Sequence, residues 1–169
     1  MKDELFFNTG FSPTGILDKL YQEASVEENY YWSPAVPPVM RCDVSGDIRS
    51  YFKSLINVPF NDCGFLKTYP NTIYPMHKDS FRISAINLPM FEETIGFESN
   101  VLNIHVKPPN LEPIPYRTHE FMLLNVMRPH MVANKTLNKN RIMLSMGFKN
   151  NSYEEMRELF KSGKLLNVL

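Results

Sequence analysis

The sequence predicts a mostly β domain, a sandwich or barrel with helices at its N- and C-terminal ends. Three observations carry this. Thirteen prolines against seven glycines in 169 residues leave little room for long helices. Seven short strand-like pieces crowd into residues 62–148, separated by Pro/Asn turn signals. Helical periodicity is confined to the flanks. The length suits a single domain, read as a helical or irregular flank over 1–61, a β core over 62–149 and a C-terminal helix within 150–169.

In the flank, Ser12-Pro13-Thr14 opens a short helix with Ile16, Leu17 and Leu20 on one face. Prolines 34, 37 and 38 hold the segment from Tyr30-Tyr31-Trp32 to Pro38 in extended or turned backbone. Those aromatics read as packing over one end of the barrel, or as a substrate wall. Gly46-Asp47 begins a second helix whose stripe is Ile48, Phe52, Leu55 and Ile56. The strand-like pieces lie near 63–69, 73–76, 82–88, 101–106, 119–125, 131–133 and 141–148. At the tail, Ser152-Tyr153-Glu154-Glu155 is a capping box, Met156, Leu159 and Phe160 form one face, and Gly163 is a stop signal. That helix is expected against the outside of the sheet.

Composition narrows the function. Eighteen basic residues balance eighteen acidic ones, so binding to nucleic acid through phosphate neutralisation is not expected. No apolar run approaches the roughly 18 residues of a membrane helix, and Met1–Leu5 lacks the apolar core of a signal peptide. With only Cys42 and Cys63, a disulfide framework is not available; reduced cysteines and a cytoplasmic setting are expected, which leaves the triplets at Asn134 and Asn150 unglycosylated.

The chemistry concentrates in Tyr74-Pro75-Met76-His77-Lys78-Asp79. Residues i and i+2 of a strand share a face, so His77 and Asp79 project together as an imidazole and a carboxylate. The best third donor is His130, which Pro129 delivers to the strand beginning Met131-Val132. Two histidines and one carboxylate leave three positions open on a metal, a set suited to non-haem Fe(II) and oxygen chemistry. Zinc accepts the same ligands but more often keeps one open position. In the last strand Arg141, Met143 and Ser145 share one face while Ile142, Leu144 and Met146 share the other. An inward arginine needs an anion, and a dicarboxylate co-substrate held by Arg141, with a hydroxyl from Ser145, meets that need. Arg82 and Arg128 flank the proposed site and are candidates for a substrate carboxylate. Asn87 is read as an ordinary strand asparagine, Cys63 as a buried small hydrophobe, and His105 and His119 as structural or exposed.

The order His-x-Asp, some fifty residues, His130, then Arg141 on the last strand resembles the Fe(II)/2-oxoglutarate-dependent dioxygenase superfamily. It is similar to both the prolyl-hydroxylase-like and the aspartyl/asparaginyl-hydroxylase-like branches. The resemblance implies a double-stranded β-helix, a cupin-like jelly roll with flanking helices. It implies His77, Asp79 and His130 as Fe(II) ligands, Arg141 on the distal carboxylate of 2-oxoglutarate, and the Tyr69 hydroxyl on the same co-substrate. The implied activity is an O2-dependent hydroxylase of an amino acid, a peptidyl residue or a small metabolite. A cupin-like metalloenzyme that is not an oxygenase, and a non-catalytic jelly-roll binding or structural protein, are the alternative expectations.

Overall fold

The computed structural model describes residues 5–32, 38–90 and 96–167. Among these residues eleven strands form two antiparallel sheets. The strands are β1 (Phe6–Asn8), β2 (Tyr31–Trp32), β3 (Met40–Asp43), β4 (Asp62–Thr68), β5 (Thr72–His77), β6 (Ser84–Pro89), β7 (Phe97–Asn103), β8 (Asn110–Pro113), β9 (Met122–Leu124), β10 (His130–Asn134) and β11 (Arg141–Phe148). The larger sheet runs β1-β9-β6-β11-β4-β3-β2 and the smaller β5-β10-β7-β8. From β4 to β11 the chain crosses between the sheets at every step except the paired β7 and β8. This is the winding of a double-stranded β-helix, as expected.

Period-two alternation on β11 decides what lies on each side of the large sheet. Leu144, Met146 and Phe148 join Phe65, Ile86 and Leu88 in one continuous core on its outer face. Three helices cover that face: α1 (Leu17–Ala24), α2 (Gly46–Leu55) and α3 (Tyr153–Lys161). They contribute Leu20, Ile48, Phe52, Tyr153 and Met156 to the same core. A second, smaller cluster comprises Leu5, Ala85, Val101, Ile114, Met122, Leu124 and Val126. The buried phenylalanines gather in the outer core, and the space between the sheets is lined by both apolar and polar side chains.

The tail helix begins as its sequence dictates. The Ser152 hydroxyl accepts from the Glu155 amide while the Glu155 carboxylate accepts from the Ser152 amide. Gly163 follows the helix at φ 70°, the left-handed conformation that glycine adopts without strain. Ser152→Ala is expected to cost about 1 kcal/mol, read as a lower urea midpoint at an unchanged slope.

Two parts of the fold depart from the sequence reading. The 1–61 flank is expected to be helical and irregular, yet β1, β2 and β3 in it extend the large sheet at both edges. These strands have only two to four residues, too short to print a periodicity. Tyr30 is buried, but Tyr31 and Trp32 stand exposed on the edge strand rather than packing into the barrel end; residues 33–37 lie outside the described ones. Pro108, Pro109 and Pro113 predict turn where β8 forms. That strand runs at the edge of the small sheet, where prolines cost no interior ladder bonds. Among the described residues no helix is long and apolar enough to cross a membrane, and both cysteines are free thiols. Burial pushes the Cys63 thiol up to about 12, in keeping with an inert core residue.

Candidate metal centre and pocket

Strands β5 and β10 pair antiparallel with His77 directly opposite His130. Cross-strand pairing thus closes the fifty-residue gap between the two imidazoles, whose ring centroids stand 4.2 Å apart. Asp79 follows β5, and its amide donates to the Val126 carbonyl at 3.2 Å. Asp79 Oδ1 lies 3.6 Å from His77 Nε2 and 3.6 Å from His130 Nε2. Two donors bound at about 2.1 Å to one ion can be this far apart. Among the described residues these three form the only group of His, Cys, Asp and Glu side chains with metal-holding geometry.

The outer nitrogens fix the tautomers. His77 Nδ1 sits 2.7 Å from the Pro75 carbonyl and His130 Nδ1 sits 2.9 Å from the Arg128 carbonyl. A carbonyl only accepts, so each Nδ1 carries the proton and each Nε2 turns a lone pair toward Asp79. Tyr74 stacks on the His77 ring at 3.8 Å and stiffens it. The donor set and its support therefore fit a divalent metal.

Burial pushes the His130 imidazole below its ordinary value of 6.5, against the upward pull of Asp79. A base depressed in this way binds fewer protons folded than unfolded, so its stabilisation is full above about pH 6.5 and is lost as pH falls below it. Chelator-treated protein should lose thermal stability on going from pH 7.5 to pH 5. His130→Asn should flatten that slope; an unchanged slope would assign the acid sensitivity elsewhere.

The triad borders a pocket between the sheets that encloses about 630 Å³, counting its open mouth. Arg141, the first residue of β11, lines the same pocket and is 4% exposed. Its Nη2 donates to Ser99 Oγ at 2.7 Å, and its guanidinium lies 5.7 Å from the centre of the Tyr116 ring. Burial pushes Arg141 down to about 10, the direction in which desolvation drives any cation. Ser99 pairs with Val132, two residues along β10 from His130. Two residues of strand rise place this level about 7 Å from the histidine.

A polar chain joins the two ends of the pocket. Arg82 Nε donates to Asp79 Oδ2 at 2.5 Å and Arg82 Nη1 to Ser145 Oγ at 2.7 Å. Ser145 Oγ donates to Asn87 Oδ1 at 2.7 Å, and Asn87 Nδ2 donates to the Tyr116 hydroxyl at 2.9 Å. That hydroxyl accepts from Asn87, so its own proton is available to the pocket.

The structure brings His77, Asp79, His130 and Arg141 together around one pocket and sorts the other expected residues differently. Tyr69 does not reach it: its hydroxyl donates to Glu27 Oε1 at 2.6 Å. The cause is alternation. Thr68 faces the pocket, and Tyr69 falls on the side of Lys67, which pairs with Glu27 and lies under the Tyr30 and Tyr69 rings. Tyr116, from the loop after β8, stands in the pocket instead; just past Pro113 and Pro115, it offered no strand periodicity to betray it. Ser145 faces inward as expected, but its hydroxyl is committed to Arg82 and Asn87. Arg82 is paired with Asp79, and Asn87 is a pocket residue rather than an ordinary strand asparagine. Arg128 donates to His105 Nε2 at 3.0 Å on the exposed rim. His119 contacts the Tyr21 hydroxyl at 2.5 Å, apart from the triad, as expected of a structural residue.

No protein-family model matches the chain, and no curated protein matches it. Solved structures do. A prolyl-4-hydroxylase from Pseudomonas putida is 13% identical, with 86% of this chain and 92% of that one covered at a TM-score of 0.60. A non-haem α-ketoglutarate-dependent carbocyclase, SnoK from nogalamycin biosynthesis, is 10% identical over 86% and 80% at 0.64. HygX from Streptomyces hygroscopicus, solved with nickel, 2-oxoglutarate and hygromycin B bound, is 10% identical over 89% and 86% at 0.55. The chain thus has the jelly-roll fold of the 2-oxoglutarate- and Fe(II)-dependent oxygenases.

Proposed function

We propose that the protein is an Fe(II)- and 2-oxoglutarate-dependent hydroxylase acting on an amino acid, a peptidyl residue or a small metabolite. The observation that carries this reading is one pocket with a His-Asp-His cluster at one level and a buried arginine about two strand residues deeper. His77, Asp79 and His130 hold the metal through two Nε2 atoms and one carboxylate oxygen. Arg141 takes the distal carboxylate of 2-oxoglutarate, and the charge-assisted contact offsets the desolvation of the guanidinium. The Tyr116 hydroxyl, already accepting from Asn87, donates its proton to the same carboxylate. Iron, 2-oxoglutarate and O2 bound there supply the oxidising power for hydroxylating a C–H bond, with succinate and CO2 as the other products. The apolar pocket wall of Leu66, Ile114, Leu124 and Met143 limits water around these groups. A second hollow, lined by Tyr74, Lys78, Phe81 and Arg41 and sharing His77 and Asp79 with the first, receives the substrate.

Anaerobic addition of Fe(II) and 2-oxoglutarate together should give a visible charge-transfer band that neither gives alone. Absence of the band at millimolar concentrations of both removes this reading. Succinate release across a panel of amino acids and peptides then identifies the substrate class.

A further inference from the structure

Asp79 is the only carboxylate of the metal cluster, and its two oxygens are treated differently. Oδ1 faces both Nε2 atoms at 3.6 Å, whereas Oδ2 accepts from Arg82 Nε at 2.5 Å. We propose that Arg82 is a positioning residue that withholds Oδ2, so that Asp79 presents a single oxygen to the metal. The proposal rests on the metal reading above. A carboxylate left to itself binds a divalent ion through one oxygen or through two. Held to one, it leaves the three open positions that a chelating keto acid and O2 need between them.

The rest of the fold holds Arg82 to this task. Its guanidinium presents Nε and Nη1 in different directions, and the second goes to Ser145 Oγ at 2.7 Å. Ser145 lies opposite Asn87 in the β11–β6 register and donates to it at 2.7 Å, so the far end of the arginine is tied to two paired strands of the large sheet. Clearance is built in next door. Gly147 lies two residues beyond Ser145 on the same face of β11, and a Cβ there would stand 2.6 Å from Arg82 Cδ and overlap the Asp62 carboxylate. Ser145 and Gly147 thus supply an anchor and a gap for one side chain. The Arg82 and Asp79 side chains are 15% and 13% exposed, a setting in which solvent competes little for the pair.

The test is Co(II) binding to chelator-treated protein, followed by titration calorimetry and visible absorption. Wild type should take up one Co(II). Arg82→Ala should bind it about 10- to 100-fold more weakly, as when a ligand's outer partner is lost, and with an altered visible spectrum. Arg82→Lys keeps the charge but cannot bridge Asp79 and Ser145, so it should recover part of the affinity and not the spectrum. It also carries the test should the alanine variant not fold. A merely structural arginine would lower the melting temperature of metal-free protein yet leave cobalt affinity and spectrum unchanged once folded. Variants that bind Co(II) within twofold of wild type, with its spectrum, overturn the proposal alone. Wild-type protein that takes up no Co(II) overturns the metal reading, and this inference with it.

Discussion

His130→Ala protein should fold, bind divalent metal at least about 100-fold more weakly than wild type, and release no succinate above background. The magnitude comes from what is lost. An outer partner of a metal ligand is worth about 10- to 100-fold in affinity, and a donor atom itself is worth more. The fold should survive because His130 begins β10 rather than crossing its middle, and its backbone pairing with His77 and Val101 does not need the imidazole. Alanine also removes a ring whose protonated form burial disfavours, so the acid sensitivity of metal-free protein should fall with it. Asp79→Asn is the sharper companion. It keeps the shape, loses the charge, and leaves Arg82 without its ion pair, so it should lose metal as severely and stability more. Cobalt titration and differential scanning calorimetry on the same preparations separate the two effects. Full cobalt affinity in His130→Ala would remove His130 from the ligand set.

The sequence spoke clearly where a local pattern and a tertiary role coincided. On β11 the alternation of Arg141, Met143 and Ser145 against Leu144 and Met146 was readable, because one face had to meet an apolar helix layer and the other did not. His77 and Asp79 two residues apart, and the capping box at Ser152, are equally local. What the chain could not display was which partner an inward group would choose. Arg82 and Ser145 both point into the site, but each satisfies the other, and only the β11–β6 register makes that visible. Tyr69 and Tyr116 show the same limit from opposite sides. Tyr69 lies beside a pocket-facing Thr68 but takes the other side, that of Lys67 and Glu27, while Tyr116 enters the pocket from a proline-rich loop that carries no period at all.

Arg141→Met should weaken 2-oxoglutarate binding at least about 100-fold without weakening the metal-free fold. Two opposing effects set this outcome. Arg141 is 4% exposed and pushed down to about 10 by burial, so the folded protein carries a poorly solvated cation. A methionine of similar length fills the space beside Met143 with no charge to desolvate, and replacing buried charges in this way is often neutral or stabilising by about 1–4 kcal/mol. Of the partners left behind, Ser99 Oγ loses one donor and the Tyr116 ring loses a cation. With ligand the balance reverses. A carboxylate entering the pocket meets wild-type Arg141 through charge-assisted bonds that methionine cannot make. The concentration of 2-oxoglutarate needed for half-maximal succinate release should rise at least about 100-fold, roughly the loss of one such paired contact at 1.4 kcal/mol per tenfold. Arg141→Lys should fall between, since an ammonium keeps the charge and loses the fork. Thermal shift is the direct readout. 2-Oxoglutarate at about 100 times its wild-type dissociation constant should stabilise metal-loaded wild type by about 2.7 kcal/mol and Arg141→Met by no more than about 0.4 kcal/mol. A methionine variant that gains as much from 2-oxoglutarate as wild type would show that the anion binds elsewhere.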